Sequence, residues 1–283
     1  MESTEKWNIV TKYLNLIEDY TTLYHYTNVY GLEGIIKHRE LWVSNADFLN
    51  DKTERKYTEE ILFNLIEDKS KNHNLRDFII MGMEEILDMK NYATYVLSLS
   101  KNKDSNLLWS NYSKDDGYNI SFQFESLKDI VDSPDLTVFK SKVIYDEKIH
   151  YEALNKLADF CIATFTNTKT NSEEFLDEIR VILTSLQLLS SFFKDSCFQQ
   201  EEEYRVVLIQ TGGDKPSYEC RVSNGTFIPY LKMGFNINDV KGITIGPKNK
   251  MDISEEGLKS FLTLNEFNVE TIEINRSKIP YRY

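Results

Sequence analysis

Much of the fold follows from the segment QQEEEYRVVLIQ, residues 199–210, in which three glutamates lead directly into an apolar run. The run is rich in Val, Leu and Ile, which is typical of a β-strand. If residues 201–208 are extended, side chains alternate between two sides, so Glu201, Glu203 and Arg205 share one face. Two carboxylates on one face repel each other, and Arg205 or a cationic ligand would hold both ionised. The alternative is a solvated acidic lead-in to an edge strand.

Similar short segments on both sides of this run predict a sheet of many strands. Further strands are predicted at 23–26, 41–45, 92–100, 118–124, 138–145, 217–222, 226–230, 242–246 and 268–274. Helices are predicted at 4–19, from Val29 after a cap at Thr27 or Asn28, at 52–67, at 74–89, and near 253–263 after Asp252. Two long helices are predicted within 147–195, the second with Asn171 and Glu174 as a capping pair.

The order of these elements indicates the fold class. Strands and helices do not alternate regularly, so a doubly wound parallel sheet is not expected. The predicted class is α+β with a mainly antiparallel sheet. Because no Pro/Gly-rich break divides the chain, we expect one domain over residues 1–283, with helical insertions near 52–90 and 147–195.

Composition limits the partners and the compartment. The formal net charge of −12 argues against wide contact with duplex nucleic acid or an anionic membrane, since both require clustered Lys and Arg. The cysteines Cys161, Cys197 and Cys220 are widely spaced, which fits a reducing compartment and predicts neither a zinc site nor a disulfide framework. The N-terminus does not resemble a signal peptide, and no apolar run approaches the ~20 residues that span a bilayer. We therefore expect a cytoplasmic protein.

One histidine and two pairs of polar or aromatic residues stand out in the sequence. His25 lies between two tyrosines in LYHYTN, residues 23–28, where it is either a satisfied core residue or a ligand-contacting one. Ser98 and Ser100 alternate with leucines and face one side of a strand, which is also expected of the polar side of a half-buried strand. Trp109 and Tyr112 are three residues apart on a short helical turn and share a face, as ordinary core residues also would.

Common catalytic templates are missing from the sequence. It contains no HExxH, GxSxG, GxxxxGK[ST] or GxGxxG motif, and no Cys or His spacing indicates a metal site. The segment GITIGPKNK, residues 242–250, has a Gly-Pro turn with flanking lysines, which is a weak indication of phosphate contact.

Four segments together resemble a large bacterial family catalogued as a domain of unknown function. They are LYHYTNVYGLEGIIKHRELWVSNADFLND (23–51), LSLSKNKDSNLLWSNYSKDDGYNISFQF (97–124), EEEYRVVL (201–208) and KGITIGPKN (241–249). Their order and approximate spacing match that family across most of residues 23–250. The family in turn resembles a divergent branch of the ADP-ribosyltransferase fold, which implies a split antiparallel sheet with an NAD cleft between its two parts.

The resemblance implies a role for each of the unusual residues. His25 would match the first-strand residue that holds the NAD ribose, Ser98 and Ser100 would match the Ser-x-Ser strand, and Glu201 and Glu203 the Glu-x-Glu. Glu203 would be the catalytic carboxylate, and Glu201 would orient or deprotonate the acceptor. The implied NAD-binding set is His25, Tyr26, Ser98, Ser100, Trp109, Tyr112 and Arg205. The run of three glutamates leaves this register open by one residue, and the histidine and the Ser-x-Ser combine the patterns of two branches.

The implied activity is transfer of ADP-ribose from NAD, as substrate and without a metal, to a protein or nucleic-acid acceptor, as in a bacterial toxin or phage-defence effector. Hydrolysis of NAD is a variant of this hypothesis. A second hypothesis is a catalytically silent module that binds a nucleotide or a partner. A third is that the glutamate run is surface charge without chemistry.

Overall fold

The computed structural model describes residues 12–13, 22–48, 52–70, 73–88, 92–113, 117–123, 136–168, 172–211, 218–223, 225–249 and 251–280. The predicted helix at 4–19 lies almost entirely outside the described residues. Ten strands are present in this part of the chain: β1 Thr22–Thr27, β2 Glu40–Asn45, β3 Tyr92–Ser100, β4 Tyr118–Gln123, β5 Leu136–Lys142, β6 Glu203–Thr211, β7 Glu219–Ser223, β8 Thr226–Gly234, β9 Val240–Ile245 and β10 Glu273–Arg276. The helices are α1 Val29–His38, α2 Lys52–Ser70, α3 His73–Asp88, α4 Asn106–Tyr112, α5 Glu147–Asn167, α6 Glu173–Phe192 and α7 Ser254–Leu264.

All ten strands form one sheet that divides at β3. One edge of β3 pairs with β6 along its whole length, from Tyr92 to Ser100, and β6 pairs in turn with β5. On the other edge, β1 pairs with β3 at Ser100, whereas β2 pairs with it at Tyr95 and Val96. The sheet therefore continues in two arms, β1-β4-β9-β10 and β2-β8-β7. We call the gap between the arms, at residues 97–99 of β3, the fork.

The two faces of this sheet pack against different helices. The face that carries Leu97 and Leu99 of β3 forms one core with α1 and α7. The opposite face carries Val96, and there Val207 and Ile209 of β6 form a second core with α2, α3, α5 and α6. The long helices near 52–88 and 147–192 thus cover one half of this second face, and nearly every strand pair in the sheet is antiparallel. The predicted α+β class with a mainly antiparallel sheet is confirmed.

Most predicted elements are present, with local differences at their ends. Asn28 caps α1, and its side chain accepts a hydrogen bond from the Gly31 N–H at 2.9 Å. The cap of α6 is Ser172, not the predicted Asn171–Glu174 pair, because the helix begins at Glu173 and the Ser172 hydroxyl accepts from the Phe175 N–H at 3.1 Å. Strand β5 ends at Lys142, three residues before its predicted end, and the last strand begins at Glu273, five residues after its predicted start, and ends at Arg276.

A small third core holds α4 against the β1 arm. The ring edge of Trp109 packs on Tyr26, with 4.8 Å between ring centroids. Gly246, at the end of β9, lies against the same indole and bonds through its N–H to the Gly117 carbonyl at 2.8 Å.

We expect Gly246→Ala to lower the free energy of unfolding by about 1–3 kcal/mol, the usual cost of overpacking. A Cβ there would lie 2.8 Å from the Gly117 carbonyl oxygen and 3.0 Å from the Trp109 ring. Urea unfolding measures the change. The matched control is Gly257→Ala in α7, where a Cβ meets nothing within 4 Å and a more stable helix is expected. Equal stability of the two variants would contradict this packing.

Candidate functional site

The glutamate run enters a buried network of four charges at the start of β6. Arg205 holds Glu203 through two hydrogen bonds, from Nε to Oε1 at 3.0 Å and from Nη2 to Oε2 at 2.9 Å. Lys194, which follows α6, donates to Glu201 Oε2 at 2.9 Å and to Glu203 Oε2 at 3.2 Å. All four residues are no more than 7% exposed. Two carboxylates and two cations therefore neutralise one another away from water, as buried charges require.

Electrostatics keep Glu203 ionised. Burial acts to raise the pKa of this carboxyl, but the charges of Arg205 and Lys194 and hydrogen bonds from Arg205 and Ser98 more than offset it, so the pKa falls to about 2. The backbone of Glu203 is also fixed, since its N–H donates to the Tyr145 hydroxyl at 3.1 Å and its carbonyl accepts from the Val143 N–H at 2.8 Å. The carboxylate is thus held in one place with its charge intact at neutral pH.

The two glutamates before Glu203 are not extended, so the alternation considered for an extended segment 201–208 does not apply to them. Glu201 ends a 3-10 helix, Ser196–Glu201, and Glu202 has a left-handed backbone with φ 43°. This turn brings the Glu201 carboxylate to Lys194 although it does not alternate with Glu203 along a strand. Glu203 and Arg205 do share a face, as predicted, and Glu202 is exposed. A non-glycine residue at positive φ is uncommon and often marks a functional segment.

Ser98 connects Glu203 to the fork. It is opposite Arg205 in the β3–β6 register, so its side chain lies on the face of the charge network, where its hydroxyl helps to lower the pKa of Glu203. Unlike the buried residues around it, Ser98 is exposed. It is therefore the point at which the network meets solvent.

His25 reaches the same serine from the other arm. Its half-buried imidazole lies near the backbone of Ser98, where β3 pairs with neither arm, and this backbone influences its pKa. Desolvation lowers the pKa of His25 to about 4, the hydrogen bond to Ser98 opposes this shift, and the nearby charge of Arg221 adds to it. The ring is consequently neutral at physiological pH. Along β1, the side chains of His25 and Tyr24 lie on opposite faces of the sheet. Tyr24 pairs with Ser100, and Ser100 pairs with Glu203, so Tyr24 is on the face of Glu203. His25 is therefore on the other face and reaches Ser98 at the fork.

Arg221 of β7 completes the fork on the β2 side. Its guanidinium donates to the Ser44 hydroxyl at 3.2 Å, and Ser44 lies near the end of β2. Arg221 is half-buried, and desolvation lowers its pKa from the usual value of an arginine. The fork thus brings together a neutral imidazole, an exposed hydroxyl, a fixed carboxylate and a guanidinium.

Three of the predicted NAD-binding residues have structural hydrogen bonds. The Tyr26 hydroxyl donates to the Asn102 carbonyl at 2.7 Å and accepts from the Ser105 N–H at 3.0 Å, and burial raises its pKa to about 12. The Ser100 hydroxyl donates to the Glu201 carbonyl at 2.7 Å. Trp109 is buried, and its indole N–H donates to Asp104 at 2.7 Å. These contacts position the turn after β3.

Tyr112, at the end of α4, was also predicted to bind NAD, and its side chain is 52% exposed, unlike the three residues above. The structure therefore places Ser98, Glu203 and Arg205 on one face of the sheet, adds Glu201 through Lys194, and places His25 beside the fork on the opposite face. Sequence reasoning missed Lys194 and Arg221. The signal for Lys194 was a lone cation directly after the apolar end of a helix, in SSFFKDS (190–196), and Arg221 had none beyond its place in a strand.

Comparison with known proteins adds one finding. The profile of a family described as a protein of unknown function, DUF2971, matches residues 108–206. The matched part begins in α4 and ends in β6, so it contains the glutamate run and Lys194, whereas His25, Ser98 and Arg221 lie outside it. No curated protein and no solved structure matches the chain. The match supports the predicted resemblance to a family of unknown function over these residues.

The donors at the site suit hydrogen bonding to hydroxyl and anionic groups. In the part of the chain that the structure describes, no group of three or more His, Cys, Asp or Glu side chains is arranged to hold a metal ion. Within the same residues, no helix is both long and apolar enough to cross a membrane. A neutral imidazole can both donate and accept and a carboxylate accepts, so each of these groups suits a hydroxyl of a polyol such as ribose.

Proposed function

We propose that the protein cleaves the nicotinamide–ribose bond of NAD and transfers ADP-ribose to a protein or nucleic-acid acceptor. The observation that carries the proposal is the position of β3, which pairs with β1, the strand of His25, and with β6, the strand of Glu203, so that Ser98 lies between them and influences the pKa of both side chains. The resemblance to ADP-ribosyltransferases requires a first-strand histidine, a Ser-x-Ser strand and a Glu-x-Glu strand. Here His25 is on β1, Ser98 and Ser100 are on β3, and Glu203 begins β6, while Glu201 lies in the 3-10 turn before it; β3 pairs with both β1 and β6.

The chemistry explains these residue types. The bond between ribose C1′ and the nicotinamide nitrogen breaks, its electron pair leaves with neutral nicotinamide, and positive charge develops on the ribose. Glu203, hydrogen-bonded to the ribose 2′-hydroxyl, would stabilise this charge more than it stabilises the ground state. The acceptor then bonds to C1′ and releases a proton. A neutral His25 that donates to Ser98 keeps an acceptor nitrogen for another ribose hydroxyl.

One observation favours a second candidate, a catalytically silent nucleotide-binding module. Glu203 is 7% exposed, and both of its oxygens are bonded to Arg205 or Lys194. The two cations partly offset the field of the carboxylate at the ribose. Glu201 is equally occupied by Lys194, which supports a structural role for it. In this alternative the fork binds a nucleotide that it does not cleave.

Release of nicotinamide from NAD separates the two candidates. We expect turnover by the wild-type protein and a loss of about 100-fold or more in Glu203→Gln, as is typical when one preorganised electrostatic group is removed from a reaction centre. The assay is run with and without cell extract as a source of acceptor. Ser98→Ala, which removes the hydroxyl from the exposed side of Glu203, is expected to reduce turnover about 10-fold.

The matched control is Glu202→Gln, the same substitution at the exposed neighbouring residue. It should keep wild-type turnover, and a loss in this variant instead of Glu203→Gln would shift the register by one residue. Circular dichroism at the assay temperature checks that each variant is folded. Binding of NAD without any nicotinamide release, with and without extract, would favour the binding module.

A further inference from the structure

Arg221 is a half-buried cation whose charge no described carboxylate balances. Its one hydrogen bond goes to Ser44, and its Nε is buried without a partner in the part of the chain that the structure describes. Glu219, two residues earlier on β7, is occupied by Lys232 at 2.7 Å and by the Tyr230 hydroxyl at 2.9 Å. Removing a charge from water is costly unless it is paired. An anionic ligand would supply the missing partner.

The neighbours of Arg221 suit an anion. His25 is neutral and adds no competing charge, and the Ser44 hydroxyl already orients the guanidinium. The Glu203 carboxylate is already neutralised by Arg205 and Lys194. A guanidinium presents paired N–H donors that match two oxygens of a phosphate.

We propose that Arg221 binds a phosphate group of a nucleotide in the fork, on the β2 side of the residues that contact ribose. The identity of that nucleotide as NAD or ADP-ribose rests on the proposed function. The phosphate site itself requires only that the nucleotide binds, and it does not require that NAD is cleaved. Arg221 would hold the diphosphate while His25 and Glu203 contact a ribose, so one ligand would span both arms of the sheet.

Calorimetric titration with ADP-ribose and with adenosine tests this assignment. We expect Arg221→Gln to weaken ADP-ribose binding about 10- to 100-fold, the factor for one charge-assisted hydrogen bond, and Arg221→Lys to restore part of it. Adenosine has no phosphate, so its affinity should be the same in all variants. The matched control is Lys259→Gln, which removes one positive charge from α7 on the other face of the sheet.

A second measurement needs no variant. Inorganic phosphate should compete with ADP-ribose on the wild-type protein and leave adenosine binding unchanged. The assignment is overturned if Arg221→Gln binds ADP-ribose as well as wild type, or if wild type binds neither ADP-ribose nor phosphate at millimolar concentration. Arg221-dependent binding of ADP-ribose without nicotinamide release would retain the phosphate site and reject the enzyme. NAD cleavage with an unchanged KM in Arg221→Gln would retain the enzyme and reject the phosphate site.

Discussion

Lys194→Met is expected to lower the free energy of unfolding by about 3–5 kcal/mol, the usual cost of removing one partner from a buried ion pair. Lys194 contacts both glutamates of the network, and its ammonium also lies 4.9 Å from the centre of the Phe198 ring. Without it, two buried carboxylates remain with Arg205 alone. Methionine preserves most of the side-chain volume, so the loss reports on charge more than on packing.

Urea unfolding of wild type and variant at pH 7 measures this effect. The control is Lys232→Met on β8, whose ammonium is 2.7 Å from Glu219 but whose side chain is 43% exposed. Exposed pairs contribute little, so we expect a change below about 1 kcal/mol there. Adding Glu201→Gln to Lys194→Met removes one charge of each sign and should recover part of the loss. A loss below 1 kcal/mol in Lys194→Met would mean that the network is solvated.

The faces of the central strands were predictable because side-chain alternation is a local property. Ser98 and Ser100 share one side of β3, Glu203 and Arg205 share one side of β6, and the register places the two pairs opposite each other. The α1 cap at Asn28 also followed from local sequence. In each case the residues that decide the geometry are within a few positions of one another.

The fork was not predictable from local pattern. It arises because β1 and β2, which precede β3 by 50 to 80 residues, pair with different ends of one edge of β3. The turn at Glu202 was missed because a glutamate at positive φ leaves no sign in the sequence. Arg221 and Lys194 were missed because a lone cation in a strand or after a helix is usually exposed, and only the packed structure buries these two.

Acid should remove a large part of the stability that Glu203 provides. Its pKa in the folded protein is about 2, below the 4.5 of an unperturbed glutamate, so the unfolded state binds a proton first as the pH falls. The contribution of the ionised carboxylate is complete above about pH 4.5 and is lost as the pH decreases toward 2. A shift of this size corresponds to about 3 kcal/mol.

Glu203→Gln isolates this contribution from those of other titrating groups. Glutamine cannot ionise, so the difference in unfolding free energy between wild type and variant should decrease by about 3 kcal/mol between pH 5 and pH 2. Glu202→Gln serves again as the control, because it is the same substitution at the exposed neighbouring residue. His25 titrates near pH 4 in both proteins and cancels in the comparison. A difference that stays constant down to pH 2 would show that Arg205 and Lys194 do not hold Glu203 ionised, and the proposed role of this carboxylate at the ribose would lose its electrostatic basis.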